Sequence, residues 1–230
     1  MMSDKLWKLI SFLLCISGIG SAAVLITHVI IGGILDPQYN QIANSISSLT
    51  QTGAPNQEIM QPFLYIYGPL YIIFSVLLVI LFRKKTNRIM TAGSVFMVIS
   101  AVVSTVGFGL FPFEGGDVGL TFQNKIHIGI VITLAVILTV TLILIAAGCI
   151  RTLQYHKFGI YLWILASIFT FACGMTIPLV FYDGPFMGLV EKISVGTLQL
   201  FVCSLSIYFR KPRFICRNED DLSLGNEDWV

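Results

Sequence analysis

Four side chains able to hold charge or move a proton fall within one short stretch, FPFEGGDVGLTFQNKIHIG over 111–129: Glu114, Asp117, Lys125 and His127. Carboxylates and an imidazole suit general acid–base work, and a lysine suits an anion. A second charged pair, Glu191 and Lys192, opens the apolar run GLVEKISVGT, and Asp36 and Ser45 belong to the polar segment 36–61. Together these residues predict a site for an anionic lipid or small anionic ligand. With His127 as general base, they also suit hydrolysis or transfer at a lipid head group. A serine nucleophile drawn from Ser45, Ser47 and Ser48 would lack any G-x-S-x-G elbow. No His-x-x-x-His or Cys-x-x-Cys spacing occurs, so no metal and no cofactor is expected.

The elements that position these groups are membrane helices. Of 230 residues, 56% are hydrophobic and 11% charged, and the mean hydropathy is +0.85, outside the range of soluble domains. Six apolar runs, roughly 9 to 34, 63 to 82, 89 to 111, 126 to 150, 158 to 181 and 189 to 209, are each long enough to cross a bilayer. Backbone amides in lipid must be satisfied within the segment, and the runs lack barrel alternation, so the expected class is all-α and polytopic. Residues 1–210 form the six-helix domain. The tail 211–230, basic and then acidic, is expected to be flexible.

Charge sets the expected orientation. Of the 14 basic residues, all but Lys125 and Lys192 fall at alternate ends of the spans, in groups such as Arg83, Lys84, Lys85 and Arg88. The positive-inside rule then places both termini in the cytoplasm of a multi-pass protein of the cell membrane. Asp36, Glu58, Glu114, Asp117, Asp183 and Glu191 all fall on the other side, so chemistry is expected there. The start, MMSDKLWKLISFLLCISG, lacks a convincing cleavage pattern and reads as a retained first span. The five cysteines read as packing residues, and His28 as structural or functional.

Segment 36–61 is too polar to span. Asp36-Pro37 reads as a helix cap with a first-turn proline, and Tyr39, Ile42, Ala43, Ile46 and Leu49 recur at helical steps. They predict a short amphipathic helix over the outer ends of the spans, either a lid over a site or a plug that shields the bundle. Spans two, four and six start on this side, so their N-terminal partial positive charges point to it. Lys125, His127 and Lys192 in those first turns need a negative counterpart, either Glu114, Asp117 or Glu191 or an external anion. The span centres are read as holding only Ser and Thr, which speaks against proton-coupled transport. Phosphate loops, repeats and nucleic-acid motifs are not visible.

Several phrases in order, ISSLTQTGAPN after span one, GLFPFEGGD closing span three, His127 opening span four and GLVEK opening span six, resemble a family of bacterial integral membrane proteins of unknown function. The family's pattern reads I-S-x-L-G, G-x-F-P with an acid behind it, and G-L-x-E-R, and the match covers about residues 10 to 210. The resemblance implies roles for Ser45, Phe111, Pro112, Glu114 or Asp117, His127 and Glu191. Thr50 replaces the common glycine, and Lys192 the common arginine, which removes a bidentate fork. The resemblance names no reaction. Besides the bilayer, three readings stay open: a pocket for an anionic lipid or small anion, a structural or regulatory subunit, and a head-group enzyme.

Overall fold

The computed structural model describes residues 4–115, 118–182 and 185–210. Asp117, Asp183 and the 211–230 tail lie outside the described residues, and with them the expectations placed there. Six helices follow in chain order: α1 Asp4–Leu35, α2 Gln57–Lys85, α3 Arg88–Leu110, α4 Phe122–Ile150, α5 His156–Tyr182 and α6 Met187–Tyr208. All six are long and apolar enough to cross a membrane. Each packs chiefly on its chain neighbours, and α6 closes on α1, so the helices form a ring.

The starts of α3 and α4 are capped by polar side chains. The Asn87 side chain accepts from the Met90 amide (2.9 Å) and donates to the Gly148 carbonyl (2.8 Å) and to Thr152 Oγ1 (3.0 Å). One amide thus starts α3 and ties it to the end of α4. A Cβ on Gly148 would meet the Met90 backbone nitrogen at 2.9 Å, so a small residue is required for that approach. Thr121 caps α4, accepting from the Asn124 amide at 3.1 Å. Pro62 and Pro69 are accommodated within α2, which begins at Gln57, five residues before Pro62.

The bundle has two unlike ends. At the end rich in Arg and Lys, the ring is filled by Phe82, Leu81, Phe201, Leu205 and Phe209, all at most 1% exposed. Phe158 stacks on Tyr208 with centroids 3.8 Å apart, and Phe82 meets Phe209 edge-on at 5.0 Å. The opposite end, called here the loop end, is closed by residues 36–56.

In that segment the expected short helix is reduced to a 3-10 turn, Ile46–Thr50. It begins ten residues after the Asp36-Pro37 cap. Side chains compete for the intervening amides: Asp36 Oδ1 accepts from Gln38 N (3.0 Å), Asn40 Oδ1 from Ile42 N (2.9 Å) and Asn44 Oδ1 from Asn40 N (2.6 Å). Such local bonds hold turns instead of helix. The 3-10 turn packs against α1, α2 and α6, burying Leu49 and Thr50.

Candidate functional site

The loop end contains two polar clusters, each in contact with the 36–56 segment. The first joins that segment to the start of α6. The Gly188 and Leu189 amides donate to the Ala43 and Ile42 carbonyls (3.2 and 2.8 Å), so loop carbonyls satisfy amides that a helix start leaves unpaired. A Cβ on Gly188 would collide with the Asn44 carbonyl. Glu191, one turn further, accepts from the Ile46 amide at 2.7 Å. Lys192 Nζ donates to the Asn44 carbonyl at 2.9 Å and lies 4.9 Å from the Tyr39 ring centroid. The Tyr39 hydroxyl donates to the Ser45 carbonyl (3.1 Å) and the Asn44 carbonyl (3.3 Å). Burial, and then the nearby Glu191 carboxylate, push the Tyr39 phenol up, which keeps it a neutral donor.

The second cluster is built on the α3–α4 connection. Asn124, 2% exposed, accepts from the Glu114 amide (3.0 Å) and donates to the carbonyls of Gly115 (3.0 Å) and Gly119 (2.8 Å). Thr121 Oγ1 donates to the Glu114 carboxylate. Gly115 takes φ +102°, a conformation open to glycine. This folded turn presents the Phe111 carbonyl to His127 Nδ1 at 2.9 Å, while His127 Nε2 lies 3.3 Å from Ser47 Oγ. The Phe108 and Phe113 rings flank the imidazole with centroids at 4.8 and 5.4 Å.

The sequence-predicted residues therefore divide. Glu191 and Lys192 meet the loop backbone, and Ser45 joins them through its carbonyl. Glu114 and His127 share the other cluster. Asp36 closes its own turn, and Lys125 is exposed. The hydrogen bonds of His127 and Lys192 go to carbonyls and a hydroxyl rather than to the carboxylates named as internal counterparts. Among the described residues, no three His, Cys, Asp or Glu side chains gather as metal ligands.

Two residues escaped the sequence reading. Asn124 carries no charge and so stands outside the charge pattern, although an uncharged amide opening an apolar span is itself a capping signal. Gln199 corrects the expectation that the span centres hold only Ser and Thr: it stands in the middle of α6, 1% exposed, with neither amide atom completing a hydrogen bond. An intramembrane amide is costly unless partnered, and that signal was legible in LQLFV. The Tyr67 phenol approaches it without completing a hydrogen bond. Gln199 also lines a groove of about 130 Å³ between α1 and α6, walled by Leu25, Val29, Ile46 and Val195, with Lys192 among its lining residues. His28 is fully buried, its ring 6.1 Å from Phe63 and neither nitrogen in a completed hydrogen bond.

No curated protein and no solved structure matches the chain. A family model does, over residues 19–208, which takes in the second half of α1, α2 to α6 and both polar clusters. The chain belongs to the family described as "protein of unknown function (DUF998)".

Proposed function

We propose that the protein binds one acyl chain of an anionic lipid in the α1–α6 groove, with the head group at Lys192. What carries the reading is the make-up of that groove. It is apolar along Leu25, Val29, Ile46 and Val195, and it has on the same wall a cation, Lys192, and a buried amide, Gln199, approached by the Tyr67 phenol and completing no hydrogen bond. At about 130 Å³ it is well below the size of a site for a drug-sized molecule, about 300–1,000 Å³. It suits a segment of a single chain. A lysine above apolar surface is a common way to hold a lipid phosphate at the membrane boundary. On the orientation that the charge asymmetry favours, this end faces away from the cytoplasm, and the lipid would come from the outer leaflet.

Native mass spectrometry of the full chain tests the reading against phosphatidylglycerol, phosphatidylethanolamine and inorganic phosphate. Retention of phosphatidylglycerol alone is expected, weakened about tenfold in Lys192→Gln, a difference of about 1.4 kcal/mol. Capture of inorganic phosphate would instead identify a small-anion site. Equal retention of both lipids by wild type and Lys192→Gln, at equal thermal stability, would leave Lys192 only its structural bond to Asn44 and overturn the proposal.

A further inference from the structure

We propose that Ser47 and His127 form a nucleophile and general-base pair that acts on carboxylic esters of membrane amphiphiles. Three features of the geometry support this. The Phe111 carbonyl lies 2.9 Å from His127 Nδ1, and a carbonyl only accepts, so in the neutral ring the proton is on Nδ1. Nε2 then carries the lone pair, and it faces Ser47 Oγ at 3.3 Å. The ring is fixed in that orientation between Phe108 and Phe113. A nucleophile, a base and a group that orients the base are three of the constituents of a serine-hydrolase centre, and separations this loose are common where no substrate is bound.

Access is also asymmetric. His127 is 6% exposed, whereas Ser47 is half-buried on the 3-10 turn at the mouth of the ring. The rings that flank its partner His127, Phe108 and Phe113, are apolar, which favours an ester carried by an amphiphile over a charged soluble one. Ser45 engages through its carbonyl, and Ser48 Oγ donates to that same carbonyl at 2.7 Å, so Ser47 is the serine of this segment whose hydroxyl meets an imidazole.

The step balances without a cofactor. Ser47 Oγ bonds to the ester carbonyl carbon as its proton passes to His127 Nε2. The carbon–oxygen bond to the alcohol then breaks, and the alcohol leaves with that proton. Water, deprotonated by the same nitrogen, cleaves the acyl-serine and restores the hydroxyl. Phe111 is a positioning residue through its carbonyl.

The inference stands independently of lipid retention in the α1–α6 groove, and its test reads a different event. The full chain in nanodiscs is treated with a small dialkyl fluorophosphonate, which bonds its phosphorus to the serine oxygen and releases fluoride. Intact-mass and peptide analysis should find one adduct, on Ser47. Ser47→Ala should abolish it, and Ser48→Ala should retain it. His127→Asn, whose amide can still reach the Phe111 carbonyl, should slow labelling about 100-fold or more. Absence of an adduct on monodisperse wild type overturns the proposal, as does an adduct elsewhere. So does a labelling rate in folded His127→Asn equal to wild type, since a purely structural histidine would leave that rate unchanged. If His127→Asn fails to fold, the contrast between Ser47→Ala and Ser48→Ala decides.

Discussion

The two ends of the bundle are held together by different physics. At the basic end, the connections are short and the ring is filled by aromatic and aliphatic side chains such as Phe82, Phe201 and Phe209. Stability there comes chiefly from close packing, which is sensitive to lost volume, with the Asn87 amide as a directed tie between α3 and α4. At the loop end, residues 36–56 and the α3–α4 turn are fixed by directed bonds: Ile46 N to Glu191, Lys192 to Asn44, and Asn124 to three backbone groups. A single donor or acceptor matters there because its partner is left unpaired when it goes. A protein built this way can keep a rigid anchor while holding polar groups in fixed positions at the other boundary of the membrane.

Three substitutions would sharpen or break that contrast. The largest effect is expected at the basic end. Phe82→Ala removes a fully buried ring and should cost about 3–5 kcal/mol, seen as a large drop in melting temperature in detergent. Proteolysis of the 36–56 segment below that temperature should not change. Next comes Gly188→Ala, which drives a methyl group into the Asn44 carbonyl and should cost about 1–3 kcal/mol. Here the segment should become protease-sensitive well before the bundle melts. If both variants open the loop equally, the two ends are one cooperative unit and the contrast fails.

The smallest effect belongs to Tyr39→Phe, which removes the phenol bond to the Asn44 and Ser45 carbonyls at a cost of about 1 kcal/mol. Hydrogen exchange should quicken in residues 42–48 and stay unchanged in α2 and α3. Because the phenol's ionisation is pushed up, it remains a protonated donor through neutral and mildly alkaline pH, and wild-type exchange protection should hold there.

Much of the helical architecture could be read directly, because hydropathy over a span of about 20 residues averages out local exceptions. The ends shifted: Phe122 starts α4 several residues before its apolar run because Thr121 caps it, and α2 starts at Gln57, also ahead of its run, without a side-chain cap. The amphipathic spacing in 36–50 contracted to five residues at Ile46–Thr50, since Asp36, Asn40 and Asn44 spend their side chains on nearby amides. Glu114, His127, Glu191 and Lys192 were recognisable as polar groups at a membrane boundary. Their partners were not.

The amino-acid order by itself determined the membrane class, the six helices and the sorting of charge, since each follows from composition within a single segment. Only the tertiary structure decided that Ser47 meets His127, 80 residues away, and that Glu191 holds the Ile46 amide, 145 residues away. The reason is physical. A carboxylate that bonds a backbone N–H, or an imidazole that bonds a backbone carbonyl, places almost no demand on the identity of its partner, so closure of the helix ring alone selects which residue that partner is.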